Sequence, residues 1–584
     1  MVGPNRTMAA IGFILLACIC SFCAAEEPWP CPASDLEPTV RRYAVDRDFL
    51  LRFYDLPWSE ICDRRAADFD QAAETALREV VFDALNPQGR IDYLLLQRQL
   101  RYQNKLRERA ATRLAEMADL LPFRESVLKL ELARRRMESC DPRAAANILA
   151  EIPKQIEDLR KRLEPPPVGA TQPAAALSPF TAMRAARATE ALRGALETWY
   201  DAYGGFQPDF AWWARDPYEK TREALTEYAK FLRETIAGVK GAEDDPLIGA
   251  PIGAAALADE LEHEFLTVSP RDLIAIGERE LAWCEAEMKK ASAEMGLGND
   301  WKAALERVKE SYVSPGEQGD LVRDEGRAAI EFVKQNDLIT IPPLCEETWN
   351  VKMLSYETQK FLPFAAYGGQ KMLVAYPTED MPFEDKLMSM RGNNRHFTRL
   401  VTPHELIPGH HMQYFMADRY RAYRSVFTTP FFVEGWALYW ELTLWEKGYG
   451  RTPEERIGML FWHMHRAARI VVSLKFHLGE MTSAEMIDFL VERIGHERFG
   501  ATSEVRRFIG DDYSPLYQCG YLIGGLQLRA LRREILSAGL MSERAYHDRL
   551  LTYGSIPIVL IRADLLSLPI KENGAALQWD FANP

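Results

Sequence analysis

Residues 402–415 read TPHELIPGHHMQYF, and their side chains are of the kinds that bind transition metals and move protons. His404 and Glu405 start as the HExxH pattern does, in which histidines at i and i+4 lie one helical turn apart and share a metal ion. Position i+4 here is Pro408, and the next histidines are His410 and His411. On an unbroken helix, at about 100° per residue, His404 and His410 point about 240° apart, whereas His404 and His411 share a face but stand roughly 10 Å apart along the axis. Pro408 lifts that constraint. It has no N–H to donate, and its ring collides with the carbonyl of residue i−4, which is His404. Gly409 adds backbone freedom. The spacing predicts a bulge that returns His410 toward His404, with His411 as the alternative ligand.

A hydrolytic zinc site needs a third protein ligand, an open position for water and a general base. Glu405 is the candidate base. The third ligand should come from the next helical stretch, FFVEGWALYWELTLWEKG, whose carboxylates are Glu434, Glu441 and Glu446. Glu434 has aromatic and apolar neighbours, where an unpaired carboxylate is costly to bury and a bound cation would relieve that cost. Glu441, two turns on, suits a partner that orients a histidine. Further along, Tyr517 and Tyr521 are one turn apart on one helix face. Hydroxyls so placed could bind substrate or stabilise an oxyanion. His463 and His465 in FWHMHRAAR read as buried polar groups, not as a second metal site. The chain has no GxSxG elbow, P-loop or GxGxxG fingerprint.

The segments HELIPGHHMQ, FVEGWALYWE and SPLYQCGYLIGGLQLRALR together resemble the DUF885 family, bacterial proteins similar to zinc peptidases of the gluzincin type. The resemblance is strongest from about residue 330 to 535. It implies zinc as cofactor, with His404, His410 and Glu434 as ligands, Glu405 as base and Tyr521 as an oxyanion donor. The Gly409-His410 and Glu434-Gly435 pairs, which also resemble those of angiotensin-converting-enzyme-like peptidases, favour His410 over His411. His477 matches a family histidine, although Ser473 stands where its aspartate partner is expected. Leu516-Tyr517-Gln518 likewise departs from the Gly-Gln that usually follows the proline, here Pro515. The implied activity is hydrolysis of short peptides by water activated at zinc. The alternatives are a non-catalytic peptide-binding protein that keeps the cleft, and a zinc hydrolase of another amide or ester.

Around these residues, most of the sequence carries apolar residues at three- and four-residue intervals, the mark of amphipathic helices. Residues 270–295 are one such run, opened by Ser269 as N-cap and Pro270 at the first helical position. Two short stretches read as extended, LITIPP at 338–343 and KMLVAYP at 371–377, the second after the turn signal Gly368-Gly369. An edge strand there could hold an extended peptide through its backbone. The expected fold is mainly α, a large two-lobed helical metallopeptidase body with a small β-sheet beside a deep active-site cleft. Its expected parts are an export signal at 1–25, an N-terminal helical lobe at 26–164, a Pro- and Ala-rich connection at 165–179 and a catalytic region at 180–584.

The chain has 584 residues, 47% hydrophobic and 27% charged, with a net charge of −14. That balance argues against a general nucleic-acid binder, which would carry a basic stripe. Arg6, the apolar run to Ala25 and the charges of Glu26 and Glu27 read as an export signal. The protein is therefore expected in the periplasm or outside the cell. Lipid attachment at Cys18 or an uncleaved anchor are the alternatives to cleavage, and no stable membrane insertion of the mature chain is expected. Outside the signal are six scattered cysteines. They form no CxxC pair, and Cys31 and Cys62 are candidates for a bridge.

Overall fold

Pro, Ser, Thr and Asp punctuate this chain at the places where helices begin. Helix α1 (Pro142–Leu163) starts with Asp141 accepting from the Arg143 and Ala144 amides, with Pro142 at the first position. Two capping boxes do the same for α4 (Pro270–Glu294) and α9 (Pro453–His477), introduced below. The computed structural model describes residues 29, 31–164, 177–241, 245–510, 513–574 and 577–582. It is 70% helix and 2% strand, which fixes the class as mainly α. The export signal, Cys18 and residues 165–176 of the expected connection lie outside the described residues.

Apolar stripes gather into three cores. One joins α1 to α2 (Pro179–Gly204) and α3 (Pro208–Phe231) through Leu149, Leu192, Trp199, Phe210 and Tyr228. These helices come from both sides of residues 165–179, so packing does not divide the chain there. A second core sets Ile91, Leu94 and Leu95 against Trp436, Trp440, Leu528 and Tyr546, which binds the N-terminal part to the far C-terminal one. The third gathers residues of α4 with Val471, Leu474 and Leu522.

The expected small sheet is present, with one of its predicted strands misplaced. Strands β1 (Asn350–Met353), β2 (Ala365–Tyr367) and β3 (Lys371–Val374) lie in the order β1-β3-β2, with β1 parallel and β2 antiparallel to β3. The stretch 371–377 supplies β3, whereas 338–343 forms no strand. Its backbone bonds to side chains instead: the Thr340 amide donates to Asp548 at 2.9 Å, and the Leu338 carbonyl accepts from His547 Nδ1 at 2.6 Å. Pro342 and Pro343 have no N–H for a ladder. All six cysteines outside the export signal are free. The suggested Cys31–Cys62 bridge is not formed; Cys31 Sγ donates to the Thr552 carbonyl, and Cys62 is buried in the N-terminal core.

The site is carried by α5 (Arg395–Glu405), α6 (His410–Tyr420), α7 (Pro430–Glu446), α8 (Arg498–Ile509), α9 and α10 (Tyr517–Ser537). Helices α7 and α10 cross with almost no side chain between them. Gly435 and Gly524 face each other, and a Cβ on Gly524 would sit 1.9 Å from the Phe431 carbonyl oxygen. This close crossing brings the tyrosines of α10 to the carboxylates of α7.

Candidate metal centre

The break between α5 and α6 occurs where Pro408 requires it. Helix α5 ends at Glu405 and α6 begins at His410. The Gly409 amide donates to the Pro403 carbonyl at 3.0 Å, and a Cβ at Gly409 would lie 1.9 Å from the His404 oxygen. Glycine is thus needed for a close backbone approach. Trp436 of α7 fastens the break, donating its indole N–H to the Pro408 carbonyl at 2.9 Å.

The bulge sets the His404 and His410 rings at right angles, 4.9 Å between centroids. Glu434 Oε2 lies 3.2 Å from His410 Nε2 and 3.8 Å from His404 Nε2. Glu405 stands at the edge of the same group, its Oε1 4.0 Å from His404 Nε2. His404, Glu405 and His410 offer ligand-type atoms all within 4.8 Å of one another, but Glu434 is the nearer carboxylate and approaches both rings. Each histidine turns Nε2 inward and its other nitrogen toward a side-chain oxygen. His404 Nδ1 is 2.7 Å from Glu441 Oε1, and His410 Nδ1 is 3.4 Å from Gln413 Oε1. Carboxylates and amides behind histidine ligands fix ring orientation in this way.

Several observations fit a zinc-type ion. The donor set is two imidazoles and one carboxylate. Glu434 Oε2 is buried, with the two inward Nε2 atoms as its ion-pair neighbours and no well-aligned hydrogen bond. Burial would raise the Glu434 pKa, but the His410 and His404 imidazoles beside it hold it well below the usual carboxylate range. Burial would depress His404, yet contacts with Glu434 and Glu441 bring it up to about 9. A cation between these groups would replace those protons.

The remaining predicted residues fall in and out of this arrangement. His411 points away: its Nε2 is 2.9 Å from the Cys345 carbonyl and its Nδ1 3.4 Å from the Tyr367 hydroxyl. That leaves His410 as the histidine facing His404. Tyr517, expected to bind substrate, lines the cavity described below and donates its hydroxyl to Glu434 Oε1. The Tyr521 ring lies parallel to His404 at 6.2 Å, with its hydroxyl accepting from Arg507 at 3.1 Å. Glu446 is remote from the histidines and pairs with Arg532. His477, matched to a family histidine, lies apart from the other candidate residues. It ends α9, about 12 Å along the axis beyond Arg469, and is not among the residues lining the site cavity. Burial pushes it down to about 4. His463 and His465 are buried as expected but separately placed, His463 against Glu280 and His465 against Glu504 and His496.

These groups open onto a cavity of about 560 Å³, lined among others by β2, Tyr414, Tyr513, Tyr517 and Tyr521. Antiparallel pairing turns alternate residues of an edge strand outward. The Phe364 carbonyl and the Gly368 amide bond toward β3, so the backbone of Ala365 and Tyr367 faces the other way. Sequence reasoning missed the arginines of this cavity, Arg466, Arg469 and Arg507. Their only advance sign was basic residues within helices rich in apolar ones.

The chain matches the family described as "Bacterial protein of unknown function (DUF885)" over residues 55–565. The chain belongs to the DUF885 family. Two solved structures are similar to this DUF885 chain. One is of "a putative lipoprotein of unknown function from Shewanella oneidensis", with a TM-score of 0.66 and 17% identity, covering 91% of this chain and 100% of the other. The other is of "the putative lipoprotein from Colwellia psychrerythraea", with a TM-score of 0.58 and 15% identity, covering 91% of this chain and 97% of the other. At such identities the likeness shows a shared fold. No curated protein matches the DUF885 chain.

Proposed function

We propose that this DUF885 protein is an exported zinc peptidase that cleaves short peptides. The observation that carries this reading is the convergence of His404 Nε2, His410 Nε2 and the buried Glu434 Oε2, with Glu405 at their edge. Bound there, zinc would supply Lewis acidity, lowering the pKa of a water and polarising a carbonyl. Glu405 takes a proton from the attacking water and passes it to the leaving amine. Tyr521 donates its hydroxyl proton to the oxygen that gains charge, its orientation held by Arg507. Tyr517 holds Glu434, and Glu441 with Gln413 hold the two imidazoles. The outward-facing backbone of Ala365 and Tyr367 aligns an extended substrate by strand addition. A cavity of about 560 Å³ suits a few residues better than a folded chain. Export is supported by the leader-like N-terminus and by the description of both structural neighbours as lipoproteins.

The deciding experiment incubates purified protein with a mixed peptide library, with and without chelator, and measures bound zinc in parallel. Cleavage that chelator abolishes and zinc restores supports the reading. A zinc-loaded protein that binds peptides but cleaves none would overturn it in favour of a binding protein.

A further inference from the structure

The cavity carries a charge arrangement that water activation does not use. Arg466 and Arg469 of α9 and Arg507 of α8 all line it. Two carboxylates serve these three guanidiniums, and both are shared. Glu441 lies 3.3 Å from Arg466 Nη2 while its same oxygen is 2.7 Å from His404. Glu504 accepts from Arg469 Nη2 at 2.6 Å, lies 3.6 Å from Arg507 Nη1, and is 3.1 Å from His465. A guanidinium has five N–H donors. Arg469 is 2% exposed, and its Nε and Nη1 have no hydrogen-bond partner. The Nε of Arg507 has none either.

The group of opposite charge that would complete this arrangement is an anion with a planar pair of oxygens. Arg507 is the residue able to reach it, because its side chain is 12% exposed against 2% for Arg469. The tyrosines form the walls: Tyr513 lies 4.9 Å from the Arg507 guanidinium carbon, and Tyr521 lies 4.3 Å from that of Arg469. One tyrosine separates this corner from the candidate ligands, since Tyr521 lies parallel to His404 with one end and accepts from Arg507 at the other. An extended peptide advances about 3.5 Å per residue. We propose that Arg507, with Arg469 behind it, receives the free C-terminal carboxylate of a peptide, so that the site releases one or two residues from the C-terminal end. This rests on the peptidase reading above and names its substrate class. Bidentate pairing of guanidinium with carboxylate supplies both strength and orientation.

The test uses the full-length, zinc-loaded protein and a randomised pool of five-residue peptides made in two forms, free acid and C-terminal amide. Products are identified by mass. The wild type should favour the acid over the amide by roughly 10- to 100-fold in kcat/KM, the scale of hydrogen bonds to a charged group. Its products should be single residues or dipeptides from the C-terminal end. Arg507→Gln should bring the acid-to-amide ratio close to one, and Arg507→Lys should restore part of it. The ratio isolates carboxylate recognition, because both pools depend equally on Tyr521. Equal cleavage of both pools by the wild type would overturn the proposal. So would amides carrying an internal Asp or Glu that are cleaved as well as the acids, since the receptor would then read a side chain. Binding of both pools to Glu405→Gln is titrated separately. If the wild type cleaves neither pool but Glu405→Gln binds acids at least 10-fold tighter than amides and the added Arg507→Gln removes the difference, peptidase activity fails while the carboxylate receptor stands. Equal binding of acid and amide refutes the receptor.

Discussion

The proposed mechanism gives each residue at the centre a distinct chemical task, and single substitutions should separate those tasks. Glu405 is proposed as base, at the edge of the ligand group. Glu405→Gln keeps size and hydrogen bonding but cannot take a proton, so zinc content should persist while turnover falls by roughly 100-fold or more. Single-turnover cleavage alongside elemental analysis reads both quantities, and an unchanged rate would remove Glu405 from the mechanism. The two neighbouring histidines should behave differently. His410 faces His404 and Glu434, whereas His411 is engaged with Cys345 and Tyr367. His410→Ala should therefore empty the site, and His411→Ala should leave most of the zinc in place. The opposite pattern in bound zinc would transfer the ligand role to His411.

At the scale of elements, two glycines carry the geometry although neither has a side chain to contribute. Gly409 lets the α5–α6 break close against the His404 carbonyl. Gly409→Ala should lose zinc even though His404, His410 and Glu434 are unchanged, and zinc retained at the wild-type level would show that the break can relax. Gly524 lets α10 touch α7 backbone to backbone. Gly524→Ala must push the two helices apart, at a cost of about 1–3 kcal/mol by the measure of overpacked interiors. It should lower Tm and weaken zinc binding, because Tyr517 would be drawn away from Glu434. A lower Tm with undiminished zinc affinity would separate the crossing from the site.

For the whole molecule, the centre ties three stretches of chain together: α5 with α6, then α7, then α10. A cation bound only by the folded arrangement should stabilise it by about 2.7 kcal/mol at a free concentration one hundred times Kd. Thermal melting of wild type should move upward with added zinc and downward with chelator. His404→Ala should melt at the same temperature in both. If that variant shows the full zinc-dependent shift, the ion that stabilises the protein is held elsewhere.

Residue types and spacing alone picked out the members of the candidate centre and where its helices would break. Pro408 and Gly409 announce the bulge, since one cannot continue the helix and the other permits a close approach, and the isolated Glu434 among apolar neighbours announces a partner. The mainly helical class follows from periodicity, and β3 from a short apolar run after a double glycine. These are local effects, decided within a few residues of the chain. Tertiary structure alone decided what depends on distant segments. Residues 338–343 read as a strand, but residues 547 and 548 take backbone bonds there. His477 looks like its family counterpart, yet the length of α9 carries it away from the cavity. Tyr517 reads as a substrate contact, and only the glycine crossing of α7 and α10 shows that its hydroxyl also reaches Glu434. The arginines of α8 and α9 showed in sequence only as basic residues within apolar-rich helices, with nothing to mark them as cavity-facing. Which groups a buried arginine meets depends on its surroundings in space, and those come from helices far apart in the chain.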